Sequence, residues 1–236
     1  MTVYYFGVKP LRRNMPKHLV ERIKRSQKNT LKKYFSDIYS TNSFKGVESK
    51  SGPGSEFDQT ITISMMLPEL IASLDVKTFC DIPCGDFNWM NKVNLSHVEY
   101  FGYDIASELV SYLKANYEND KRHFGELNIV EDEVNAFDLI FCRDLLVHLN
   151  YKDAQKAIDN ICRSKSKYLL TTTFPNREKN INIRYKSKKI GWYPINLELE
   201  PFNFPSPIAI INEKCTEANG QYGDKSLALY EIRTLE

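Results

Sequence analysis

A short apolar run, Phe79-Cys80-Asp81-Ile82, breaks at Pro83-Cys84-Gly85-Asp86. About twenty residues later a second apolar run, Tyr100-Phe101-Gly102-Tyr103-Asp104, also ends in an acid. Strand, tight loop, helix, strand, acid is the pattern of a nucleotide-binding α/β unit. It constrains the fold strongly, because two parallel strands need a right-handed crossover, and a parallel sheet needs both faces covered.

The rest of the chain fits that demand. Strands are expected at 77–82, 100–105, 123–127, 137–142 and 168–174, with helices over 107–117 and 152–162 between them. Ile208–Ile211 and Leu227–Ile232 are spaced as an antiparallel terminal pair. The predicted architecture is α/β: a Rossmann-like, doubly wound, seven-stranded sheet with an antiparallel last strand, plus an N-terminal helical extension. Upstream, Leu19, Ile23, Leu31, Tyr34, Phe35 and Ile38 make a helical apolar stripe. Residues 40–60 read as a loop with turn chemistry, and 61–74 as a helix that Pro68 kinks or breaks. Residues 1–60 are thus expected to form a basic helical arm over the core, 61–236 the catalytic core, and 175–207 a long substrate loop.

The chain of 236 residues has a net charge of only +2, but the charge is uneven. Ten Lys/Arg fall in residues 1–33 against the single acid Glu21, and a second basic run spans Arg177 to Lys189. Such patches suit nucleic acid, anionic lipid or a phosphorylated small molecule, and equally form a solvated helix face. The five cysteines include no C-x-x-C pair, so neither a disulfide framework nor a zinc site is indicated and no metal is expected. Met1–Pro10 lacks a signal-peptide core, and no run of roughly 18 apolar residues occurs. A cytoplasmic protein without membrane insertion is the expectation.

Ligands in this fold class lie beyond the carboxyl ends of the strands. A loop reading D-x-x-C-G-D is poorly suited to a pyrophosphate and suits a ligand bearing an ammonium and ribose hydroxyls. That combination points to S-adenosylmethionine (SAM), with S-adenosylhomocysteine as product. Asp81 and the Cys84-Gly85-Asp86 turn are placed to meet its methionine part, Gly85 allowing close backbone approach. Asp104 is placed for the ribose hydroxyls, and Asn128 with Ile129 for the adenine. After the fourth strand, Asp144 and His148 stand four apart, so one helical turn puts a carboxylate beside an imidazole as a proton-accepting pair. His148 also reads as a residue that packs or caps a helix start. Arg143 suits an anionic acceptor. The aromatic loop around Trp192 and Tyr193 reads either as a substrate lid or as a plug against the sheet.

Together, D-I-P-C-G-D-F-N-W, Y-D-I and F-D-L-I-F-C-R-D-L-L-V-H-L resemble class I SAM-dependent methyltransferases. Ser51-Gly52-Pro53-Gly54-Ser55 with Gln59-Thr60, and the G-W-x-x-I-N-L stretch, resemble small bacterial methyltransferases of surface-polysaccharide and other small-molecule pathways. The resemblance covers about residues 35–235 and leaves out the basic arm. It implies cofactor contacts from Gln59, Thr60, Asp81, Pro83, Gly85, Asp86, Trp89, Asp104, Ile105, Asn128, Ile129 and Cys142. It further implies substrate contacts from Arg143, Trp192 and Tyr193. Asn128 departs from the commoner Asp, and Pro83-Cys84 from the usual first glycine. The expected reaction is methyl transfer to an oxygen of a small, anionic acceptor such as a phosphorylated or nucleotide-linked sugar. His148 is the expected base, with Asp144 orienting it or acting alone, and no nucleic acid is expected as partner. The alternative is an RNA or other nucleic-acid methyltransferase or binding module that uses the basic arm. The oligomeric state is not encoded in any motif.

Overall fold

The computed structural model describes residues 31–183 and 191–235. The basic arm up to residue 30, and the part of the second basic run at 184–190, lie outside the described residues. The described chain forms a seven-stranded sheet in the order β3-β2-β1-β4-β5-β7-β6. Its strands are β1 Thr78–Asp81, β2 Glu99–Asp104, β3 Arg122–Glu126, β4 Leu139–Cys142, β5 Tyr168–Thr173, β6 Ala209–Asn212 and β7 Ser226–Glu231. The first five pair in parallel, and β7 runs antiparallel between β5 and β6. Strand order reverses between β1 and β4, so the crevice that a doubly wound sheet opens at its switch point lies at the carboxyl ends of these two strands.

Helices cover both faces. Residues 31–41 form α1, followed by α2 Phe57–Ser73, α3 Ser107–Tyr117 and α4 Tyr151–Arg163. The fully buried β4, Leu-Ile-Phe-Cys, needs this cover on both sides, and its side chains divide between two apolar cores. Helix α4 starts where Asn150 caps it by accepting from the Asp153 N–H. Helix α2 begins at Phe57, inside the stretch expected to be a loop, and it runs through Pro68 without a break. Ile63, Leu67 and Ile71 bury one face of it. At about 1.5–3 kcal/mol for each buried side chain, that face outweighs the roughly 3 kcal/mol a mid-helix proline costs. Among the described residues no helix is long and apolar enough to cross a membrane.

Segments outside the sheet close the crevice. Leu31 and Ile38 of α1 are buried, and Lys32 bridges to Glu126 at the end of β3 at 2.5 Å. The described part of the long loop after β5 is packed, not extended over solvent. Ile195, Leu197, Phe202 and Phe204 enter the core, while Asn180 and Asn196 bind the loop's own carbonyls. These contacts pack Ile195, Leu197, Phe202 and Phe204 against the sheet, while Tyr193, Pro201 and Pro205 stay exposed.

Candidate active site

A cleft of about 1160 Å³, counting its open mouth, lies over the carboxyl ends of β1, β2 and β4 beneath α1. Of the positions singled out in the sequence, Asp81, Pro83, Gly85, Asp86, Trp89, Asp104, Ile105, Asn128 and Ile129 line it, as do Arg143, Asp144 and His148. Gln59, Thr60 and Cys142 lie elsewhere. Gln59 exchanges hydrogen bonds with Thr216, Thr60 donates to the Glu56 carbonyl in the first turn of α2, and Cys142 is sealed within the sheet. Trp192 and Tyr193 are likewise outside it. Trp192 packs edge-on against Tyr222 and Phe174, with ring centroids 4.7 and 5.7 Å away, and the Tyr193 N–H donates to the Val147 carbonyl.

Strand ends set the floor of the cleft. Asp81, the last residue of β1, is buried and accepts from the Tyr100 hydroxyl at 2.7 Å. Burial in an apolar surround pushes its pKa to about 8, against the opposing effects of Tyr100 and Arg143. Asp104, the last residue of β2, is buried too and accepts from the Ala106 N–H at 2.9 Å. Desolvation raises its pKa to about 6, moderated by backbone N–H donors of Ala106, Gly85 and Ile105. After β3, the Asn128 Oδ1 accepts from the Val130 N–H at 3.1 Å. That bond fixes the amide at the cleft wall, with Nδ2 buried and without a partner among the described residues.

The turn between β1 and β2, where a short 3-10 turn at Met90–Lys92 stands in place of the helix expected from the strand-loop-helix-strand pattern, is held from above. Gly85 has φ +55, and a Cβ there would stand 2.3 Å from the Ser51 Oγ. The side chain of Asp86 does not point at the cleft centre. It accepts from the Ser49 Oγ at 2.9 Å, the Lys50 N–H at 2.7 Å and the Ser51 Oγ at 3.3 Å. Asp86 therefore fastens the 49–55 loop over the glycine turn, a role invisible to any reading of the turn alone.

At the end of β4 the two expected catalytic side chains diverge. Asp144 adopts φ +56, so no helical turn begins there, and a short 3-10 helix follows at Leu146–His148. His148 is oriented by the Gly191 carbonyl, 2.9 Å from Nδ1, and its ring packs on Phe44. With Nδ1 donating to a carbonyl, Nε2 is the unprotonated nitrogen. Burial lowers the imidazole pKa, partly offset by Gly191 and Asp144, so the neutral base prevails at pH 7. Asp144 is not the orienter. Its Oδ2 meets Lys225 Nζ at 2.5 Å and Arg143 Nη1 at 3.4 Å. Despite burial, these cations hold its carboxyl at about 2. Arg143 in turn donates through Nη2 to Glu213 at 2.6 Å and to the Gly54 carbonyl at 2.8 Å. The cluster formed by Arg143, Asp144, Glu213 and Lys225 was not foreseen, since its members come from β4, the end of β6 and the start of β7. The only sequence signal was a charged pair, Glu213 and Lys225, flanking apolar terminal strands.

Residues 80–167 match the family described as "Methyltransferase domain". Comparison with the curated proteins returns no match. Among solved structures, the N-methyltransferase NodS from Bradyrhizobium japonicum is 14% identical, with a TM-score of 0.53 over 75% of this chain and 97% of that one. An S-adenosylmethionine-dependent methyltransferase from Clostridium acetobutylicum is 10% identical, with a TM-score of 0.52 over 75% and 92%. The fold is the Rossmann-like methyltransferase fold. The magnesium protoporphyrin IX methyltransferase of Synechocystis, crystallised with S-adenosylhomocysteine, is 13% identical at a TM-score of 0.39, and this chain spans 60% of its length. Within the methyltransferase fold the matched segment runs from β1 through α4, the part that carries Asp81, Asp104, Asn128 and His148.

Proposed function

We propose that the chain is a SAM-dependent methyltransferase acting on an oxygen of a small acceptor. The observation that carries this reading is the convergence on one cleft, at three successive strand ends, of Asp81, Asp104 and Asn128, whose Nδ2 has no partner among the described residues. Each lacks something that SAM has. Asp81 is a buried carboxylate that an ammonium would hold ionised. Asp104 is an acceptor placed for ribose hydroxyls. The Asn128 Nδ2 needs an acceptor, and an adenine ring nitrogen is one. Gly85 is set by its φ of +55 and by Ser51, whose Oγ occupies the place a Cβ would take and seats the 49–55 loop on the turn. A pyrophosphate would meet two buried carboxylates here, which argues against a dinucleotide.

SAM supplies an electrophilic methyl group on a sulfonium, leaving as S-adenosylhomocysteine. The protein's part is to hold the acceptor in line with that methyl and to take its proton. His148 serves as the base: Nε2 is unprotonated, Nδ1–H is pinned on Gly191, and the lowered pKa keeps the ring neutral at pH 7. Arg143 is matched by Glu213 and Asp144, so it does not act as a clamp for an anion. A sugar hydroxyl, in the surface-polysaccharide setting that the S-G-P-G-S and G-W-x-x-I-N-L resemblance suggests, is the acceptor we favour.

Thermal unfolding tests the cofactor reading directly. S-adenosylhomocysteine at a hundredfold excess over its Kd is expected to stabilise the protein by about 2.7 kcal/mol, and NAD not at all. Protection by NAD and none by S-adenosylhomocysteine would sink the proposal.

A further inference from the structure

Outside the cofactor contacts, the least explained group in the cleft is the second oxygen of Asp144. Its Oδ2 is taken by Lys225 and Arg143, whereas Oδ1 is buried and has no partner among the described residues. A buried acceptor left unmade is costly, and Asp144 lines the cleft, where a ligand can bring the missing donor. The backbone points the same way. Asp144 sits at φ +56, its N–H fixed to the Thr172 Oγ1 at 2.8 Å, an uncommon conformation for a non-glycine residue and one that recurs at functional sites.

The surroundings decide what kind of ligand. Lys225, Arg143, Glu213, Glu217 and His148 are the charged and titratable groups facing Asp144. A Cβ built on Gly54 would lie 3.1 Å from the Glu217 Oε2, 3.4 Å from Lys225 Nζ and 3.6 Å from the Asp144 Oδ2, so three charged groups converge beside this glycine. Two cations are matched there by three carboxylates. The open groups that this end of the cleft offers are therefore acceptors, the Asp144 Oδ1 and the His148 Nε2.

We propose that Asp144 is the specificity-determining residue of the acceptor pocket. Its Oδ1 takes a hydrogen bond from an N–H or O–H at or beside the attacking atom, so that the acceptor is a neutral or cationic protic group and carries no carboxylate or phosphate at the point of transfer. This deepens the methyltransferase reading and rests on it, because that reading makes His148, at the same β4 end, the base that takes the acceptor's proton.

Sinefungin, a SAM analogue with a primary ammonium where SAM carries its transferable methyl, is the probe. Calorimetry on the unmodified protein compares it with S-adenosylhomocysteine, and the Asp144→Asn variant repeats both titrations. Asparagine tolerates the left-handed backbone and can still accept from Lys225. The expected result is at least tenfold tighter binding of sinefungin by the unmodified protein. In the variant that preference falls at least fivefold while S-adenosylhomocysteine affinity changes less than twofold. Equal affinity of the unmodified protein for the two ligands overturns the inference, and that arm does not depend on the variant folding. An equal loss of both ligands in the variant also overturns it, by placing Asp144 on the cofactor. Failure of the unmodified protein to bind either ligand refutes the cofactor reading itself.

Discussion

Asp81 carries a consequence that can be measured without knowing the acceptor. Its folded pKa, about 8, lies far above the unfolded value, so the free protein holds the neutral acid through the physiological range. An ammonium beside it favours the carboxylate. Binding of S-adenosylhomocysteine below pH 8 must therefore release a proton, and affinity falls by up to about tenfold for each unit of decreasing pH. Calorimetry at about pH 6.5 and 8.5, in buffers of different ionisation enthalpy, reads both the affinity and the proton count. A Kd that is flat across that range would mean that Asp81 does not meet the amino group. The sequence placed Asp81 and Asp104 at strand ends, which periodicity makes legible. It could not show that Asp86, the residue after the turn glycine, faces Ser49 and Ser51 of a distant loop, because local pattern carries no information on contacts across 35 residues.

At the scale of elements, the cleft is roofed by pieces that belong to no strand. The 49–55 loop hangs on Asp86, and α1 reaches Glu126 through Lys32 and Gly191 through the Tyr34 hydroxyl, which accepts from the Gly191 N–H at 3.1 Å. Gly191 thereby joins α1 to His148, and a Cβ there would strike Ile183 at 2.3 Å. Replacing Asp86 with Ala removes the acceptor of three donors in the loop. Hydrogen exchange over 46–56 is expected to accelerate, with the central strands unchanged, and S-adenosylhomocysteine affinity is expected to drop about tenfold, in line with loss of one or two hydrogen bonds to a charged group. Unchanged exchange in the loop would show that Asp86 does not hold it.

Across the whole molecule, the buried Arg143–Glu213–Lys225–Asp144 cluster ties β4 to the antiparallel end of the sheet, where no crossover helix does so. Glu213→Gln removes the carboxylate that Arg143 meets at 2.6 Å and leaves Asp144 to match both buried cations, which should cost about 3 kcal/mol, read as a lower urea midpoint. Replacing Arg143 and Glu213 together with Met removes both buried charges and should recover much of that loss. Equal destabilisation by the single and the double variant would show that packing, not charge, holds this end.

The sequence alone determined the sheet, its strand ends and the acids on them, because alternation of apolar runs and helical stripes is a local property and the crossover rule leaves one handedness. It also marked His148, though with the wrong partner: a spacing of four implies one face only on a helix, and the left-handed Asp144 starts none. Tertiary structure decided what each site group is free to do. Arg143 was legible as a cation, but its neutralisation by Glu213, 70 residues on, arises only when β4 and the β6–β7 turn are brought together. The same assembly leaves the Asp144 Oδ1 and the Asn128 Nδ2 without partners among the described residues. Those open valences are what the cleft has to offer a ligand, and they exist only once every other bond in the cluster has been made.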